Sequence, residues 1–177
     1  MHRRSQIVEA AIDTLAVEGL AGTSFAKIAR TAGLSSTGLI SYHFAGKREL
    51  MDEVVRVVTE ELTDFVDVRV REAEGPAAQL RAFIAANVEF AAKHHTRLRA
   101  ARAVGGRPTD AAGGLVALLR AGQLYGELRF FDVDVMVTAI RAALDRVADE
   151  PENRPEIDPI RYADELATIF ELATRGT

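Results

Sequence analysis

The side chains with the most useful chemistry lie close together near the N-terminus: Thr23, Thr37, Gly38, Ser41, Tyr42, His43 and Lys47. Hydroxyl groups bond to phosphate oxygens or to base edges, and small residues let the backbone approach a nucleic acid closely. An apolar side chain such as Ile40 can meet a thymine methyl. From Thr37 to Phe44 there is no Arg, Asn or Gln, the residues that read a base through two bonds at once. Phosphate contacts and DNA shape must then carry much of any affinity. Leu39 and Phe44 are spaced to pack inward. Lys47 sits where a helix begins, so its charge and the free N–H groups of that terminus suit a phosphate; the plainer reading is a solvated lysine. Thr23 can cap a helix and touch a phosphate as well. Arg3 and Arg4 either reach the DNA backbone or a minor groove, or form a mobile basic terminus.

The rest of the chain offers less. With no cysteine there is no disulfide, no thiolate metal site and no thiol nucleophile. His94 and His95 are adjacent, and adjacent residues on a helix point ~100° apart, which makes a poor chelate. No metal and no other cofactor is expected. His94, Arg99, Arg102 and Arg120 are candidates for a pocket that binds an effector, an anion in the case of the arginines; the competing reading is of solvated residues on amphipathic helices. Tyr125, Phe130 and Phe131 read as core. No nucleophile–base pair, matched carboxylates or cofactor loop points to an enzyme.

These residues must be positioned by helices. Apolar residues recur at intervals of three and four, strand signals are nearly absent, and the reading is all-α with about nine helices. Ile7, Ala11, Leu15 and Ala16 share the face of a first helix, with Gly19 as its stop. A second starts after Thr23 and turns Phe25, Ile28 and Ala29 inward. Gly33 suits the turn that follows because it tolerates positive φ. Ser35 or Ser36 can cap a third helix ending near Phe44. Two short helices joined by a tight turn are the geometry that seats a recognition helix in a major groove. After Gly46-Lys47 a long fourth helix, about residues 48–73, would extend ~40 Å. Gly75-Pro76 ends it and starts a fifth. The division expected is a DNA-binding domain over residues 1–46 and a ligand-binding and dimerisation domain over 47–177.

Charge follows the same division. The chain of 177 residues carries a net charge of −4, yet residues 1–50 hold six Lys/Arg against four Asp/Glu, and the remainder sixteen against twenty-two. A mildly basic head on an acidic body keeps phosphate attraction local. The N-terminus has no apolar signal core. The most apolar run, Val133 to Leu144, is cut by Asp134 and Arg141 and is too short for a bilayer. A cytoplasmic protein without a membrane partner is expected.

The eighth helix, about residues 132–148, is apolar around nearly its whole circumference, and such a helix must be covered on all sides. A polar, Pro-rich loop (149–159) leads to a ninth with its own broad apolar stripe. A four-helix interface across a two-fold axis would bury both, placing Met136, Ala139, Ile140, Ala143, Leu166, Ile169, Phe170 and Ala173 at a homodimer contact. The alternative is that both helices pack within their own subunit.

Across residues 5–50 the chain resembles the TetR family of bacterial transcriptional repressors. The resemblance rests on Ala10-Ala11, Gly19, Thr23-Ser24, Ile28-Ala29, Ala32-Gly33, Ser36, Gly38, Tyr42-His43-Phe44, Lys47 and Leu50. Beyond residue 50 it is one of layout. It implies a homodimer on a near-palindromic DNA operator, and a small-molecule effector whose binding in the body weakens the hold on DNA. One departure stands out: from Ala32-Gly33 to Phe44 this chain is one residue longer than the family's usual spacing, which places the surplus at Ser35 or Ser36. The competing functions are an all-helical small-molecule-binding protein, or a protein-interaction module, with a helix-turn-helix that does not work on DNA.

Overall fold

Helix boundaries follow from a few capping residues. The computed structural model describes residues 3–108, 114–149 and 158–176. Among them run α1 (Arg3–Gly22), α2 (Phe25–Thr31), α3 (Gly38–His43), α4 (Lys47–Glu72), α5 (Pro76–Lys93), α6 (His95–Ala103), α7 (Gly114–Leu124), α8 (Val133–Asp149) and α9 (Pro159–Thr174). The all-α reading holds. Most of the expected Pro-rich loop, residues 150–157, lies outside the described residues.

Gly19 is not the end of α1 but a kink in it: its φ of 66° breaks the helix for one residue, and a last turn follows. The Thr23 hydroxyl donates to the Gly19 carbonyl (2.7 Å), so it closes α1 rather than capping α2. The cap of α2 is Ser24, whose Oγ accepts the Lys27 N–H at 3.3 Å. Gly33, at φ 64°, ends α2 in the left-handed region, and the Leu34 N–H reaches back to the Ala29 carbonyl (2.8 Å). Neither Ser35 nor Ser36 caps α3. Thr37 occupies that position and its side chain makes no capping bond.

The chain forms two compact units, and their division falls inside α4, between Glu60 and Glu61. The expected boundary at residues 46 and 47 is therefore not where the packing divides. The first unit runs through Glu60 and takes in Thr96–Pro108 as well. It does so because α6 contributes Leu98, Ala100 and Ala101 to buried positions. Arg97 of α6 also bonds both carboxylate oxygens of Glu9 on α1, at 3.1 and 2.9 Å. After α6 the chain passes close against α4: a Cβ on Gly106 would lie 2.7 Å from Val55.

The second unit comprises Glu61–His95 and the described residues from Gly114 onward. Its centre is α5, which packs against α7, α8 and α9 and buries Leu80, Phe83, Ile84 and Phe90. Arg81 on α5 pairs with Asp164 and with Glu171 (2.9 Å) on α9. Leu128 closes over Gly122 so tightly that a Cβ at Gly122 would collide with its Cγ and Cδ1.

The expected dimer residues divide into two groups. Ile140, Leu166 and Phe170 are core residues of their own unit, which corrects their placement at a subunit contact. The register explains this: Val137, Ile140 and Leu144 form one buried stripe of α8, and Ala163, Leu166, Ala167 and Phe170 form that of α9. Ala139 and Ile169 are exposed, while Met136, Ala143 and Ala173 are half-buried. Val135 and Leu172 join the exposed apolar set at 66% and 65%. Tyr125 and Phe130, read as core, are exposed too.

Candidate functional site

The recognition helix α3 is anchored by one side and open on the other. Ile40 is fully buried and Phe44 nearly so, four residues apart and therefore on one face. Tyr42 is 82% exposed, and Thr37, Gly38 and Ser41 are exposed around it. His43 is half-buried, its ring edge-on to that of Tyr42 with centroids 5.1 Å apart. Ile40 is thus the anchor, not a contact for a thymine methyl, and Leu39, expected inside, is exposed. With Thr37 at the N-cap and Phe44 at the C-cap, the inward stripe falls on Ile40 and Phe44.

Lys47 begins α4, and its ammonium donates to the carbonyls of Leu20 (2.9 Å) and Thr23 (2.6 Å). These groups lie at and just beyond the C-terminus of α1, where a cation is favourable. An ammonium has three donors, so one is left for a phosphate. The start of α4 also holds an acid: the Glu49 carboxylate accepts the Ala45 N–H at 2.6 Å. Thr23 is buried, and Arg4 turns inward to pair with Glu53 and to lie over the Phe44 ring (4.7 Å). Both leave the outward-facing set. Arg3 bonds to Gln6 in its own helix. A residue missed in the sequence is Arg48, whose side chain is 95% exposed and 4.0 Å from Asp52. It directly follows Lys47, and its position in the first turn of α4 was the available signal.

A charge chain braces this head. A hydrogen bond from Arg56, and further bonds and attraction from Arg4, hold the Glu53 carboxyl down at about 2 against an ordinary 4.5. Arg56 continues the chain to Glu60. On the α1–α2 side Lys27 bonds Glu18 at 2.7 Å and lowers its carboxyl as well.

The second unit contains a cleft of about 310 Å³. Thr63, Val66, Asp67 and Val70 form its α4 wall, Gln79 and Phe83 its α5 wall, and Gly114, Ala117, Leu118 and Ala121 its α7 wall. On α4 and α7 these are positions i, i+3, i+4 and i+7, one helical face each. None of the four candidate effector residues lines it. His94 packs its ring on Phe90 (centroids 4.5 Å apart) and against Phe65 (6.0 Å); Arg99 and Arg120 are exposed and Arg102 is half-buried. The lining residues are ordinary amphipathic-helix types, so the sequence carried no motif for them. The small residues Gly114, Ala117 and Ala121 on one face of α7 were the available trace. Among the described residues no group of three His, Asp or Glu comes together to hold a metal, and no helix is long and apolar enough to cross a membrane.

Comparison with known proteins places this geometry. The sequence model of the family described as bacterial regulatory proteins, tetR family, matches residues 7–54. The HTH-type transcriptional regulator BetI of Paraburkholderia xenovorans is 38% identical over 88 residues, which span 49% of this chain and 45% of that protein. The chain thus matches less than half the length of such curated relatives. The fold as a whole is similar to that of a tetR-family regulatory protein from Rhodococcus RHA1, with a TM-score of 0.83 at 16% identity over the full length of both chains. It is similar too to the transcriptional regulator FadR of Bacillus subtilis in complex with stearoyl-CoA, with a TM-score of 0.77 at 19% identity over 94% of this chain and 97% of that one.

Proposed function

We infer that this chain, which belongs to the TetR family of bacterial regulatory proteins, is a transcriptional repressor in the cytoplasm that binds a palindromic operator as a homodimer and is released by a small-molecule effector. It is a regulator, not an enzyme. The observation that carries this reading is α3, which turns Thr37, Gly38, Ser41 and Tyr42 outward while Ile40 and Phe44 fix it from beneath. With no side chain on α3 suited to a bidentate base contact, Tyr42, Ser41, Thr37 and His43 supply hydroxyl and imidazole contacts, Gly38 gives close approach, and Lys47 and Arg48 supply phosphate contacts. Thr23 acts behind them by fixing the end of α1, through its hydroxyl on Gly19 and its carbonyl on Lys47.

A repressor dimer must match half-sites about one DNA turn apart, ~34–36 Å. The exposed apolar positions on α8 and α9 (Val135, Ala139, Ile169 and Leu172) supply the contact between copies, with Met136, Ala143 and Ala173 at its margin. The cleft is the effector site. Its α4 wall belongs to the helix that starts at Lys47, so an effector that favours one setting of α4 shifts the population of DNA-competent dimers. FadR, of similar fold, is a regulator seen with stearoyl-CoA, which supports a ligand in a body of this architecture. The test is gel retardation of DNA from upstream of the protein's own gene. Retardation that scrambled DNA matches at every salt concentration would refute the reading.

A further inference from the structure

We propose that the cleft between α4, α5 and α7 selects an organic cation with an apolar body, and that Asp67 is the residue that reads its charge. This rests on the reading of the cleft as the effector site. The floor is apolar and buried: Val66, Phe83 and Leu118. Gly114 and Ala117 are exposed and mark the mouth, and Asp67 is exposed beside them. Asp67 is the one charged side chain among the described lining residues, and its carboxylate makes no ion pair with another described residue. Arg71, one turn further along the same helix, donates its Nε to the Asp67 main-chain carbonyl (3.0 Å), and Arg69 pairs with Glu89.

Gln79, on the α5 wall, donates one amide N–H to the Ala73 carbonyl (3.3 Å), which leaves its second N–H and its oxygen. Thr63 and Gln79 are neutral groups that can both donate and accept, so Asp67 alone gives the described lining a charge, and that charge is negative. An ammonium ligand donates to the Asp67 carboxylate and neutralises it. A carboxylate or phosphate ligand would meet the like charge of Asp67 with no cation among the described lining residues to offset it. The volume, about 310 Å³, falls at the small end of the roughly 300–1,000 Å³ typical of small-molecule sites, which favours a compact amine over a large conjugate.

The test is calorimetric titration of the full chain, without DNA, with n-octylamine, n-octanol and sodium octanoate at neutral pH. The three probes share one chain length and differ in charge. The amine should bind about two- to fivefold tighter than the alcohol, the gain expected of an ion pair at an exposed rim, and the octanoate should bind weakest. Asp67→Asn should remove the amine's advantage and leave octanol binding unchanged, which also reports an intact cleft. Octanoate binding as tightly as the amine, an amine advantage that survives Asp67→Asn, or no binding of any probe would overturn the proposal. Retardation of operator DNA without probe is read separately, so a failure of the regulator reading and a failure of this one are distinguishable.

Discussion

Ile40 and Tyr42 stand two residues apart on α3 and should respond oppositely to truncation. Ile40 is fully buried, so Ile40→Ala removes three carbons from a packed site. At about 0.8 kcal/mol per buried carbon the transfer loss is about 2.4 kcal/mol. The cavity left behind raises the cost to about 3–4 kcal/mol. That is a large part of a typical stability of roughly 5–15 kcal/mol. For a chain of this length it corresponds to a fall in melting temperature of about 6–15 °C. Tyr42 is 82% exposed, so Tyr42→Ala should leave stability within about 0.5 kcal/mol. It should instead weaken operator binding, by about 1.5–3 kcal/mol if its hydroxyl bonds a phosphate, which is tenfold or more in Kd. The assays are urea denaturation followed by circular dichroism, and gel retardation at fixed salt. A stable Ile40→Ala variant, or a Tyr42→Ala variant that unfolds early and binds DNA normally once folded, would refute the assigned register of α3.

Other expectations follow from single contacts. Gly122→Ala would press a methyl into Leu128 Cδ1 and should cost about 1–3 kcal/mol in a denaturant melt; adding Leu128→Ala should cost less than the two changes summed, because the clash is then gone. The Glu53 carboxyl is held at about 2 in the fold against 4.5 ordinarily. Its contribution to stability is therefore complete above about 4.5 and is lost as pH falls toward 2, so Glu53→Gln should lower stability at neutral pH and flatten its acid dependence in that window. Lys47→Ala should weaken DNA binding almost equally for all sequences and reduce the salt slope by about 1, measured by titration at several salt concentrations. Ala117→Phe should fill the mouth of the cleft, abolishing the calorimetric signal of an added ligand while operator affinity stays the same.

The helices were legible because apolar spacing and punctuating glycines are local signals. Gly33 and Gly75-Pro76 mark turns whose φ of 64° and 80° only glycine adopts readily. The head's outward residues Thr37, Gly38, Ser41 and Tyr42 were legible for the same reason. Choosing between Leu39 and Ile40 was not, because both are apolar and one residue of shift in the turn exchanges their faces. The same limit applied to Thr23 and Lys47: their types suited a phosphate, but the carbonyls that claim them belong to the end of α1. In α8 and α9 the apolar stripe was evident, yet which part of it the chain buries itself depends on α5, far away in sequence. The cleft was least legible, because a void is defined by side chains that fail to meet, and no residue type encodes that.

The membership of α6 in the first unit bears on how this protein can be engineered. A transplant that grafts residues 1–46, or even 1–60, onto a foreign sensor would leave Glu9 without Arg97 and uncover the sites filled by Leu98, Ala100 and Ala101. A working chimera has to carry the segment Thr96–Pro108 along with the N-terminal one, so the exchangeable module is discontinuous in the gene although it is continuous in space.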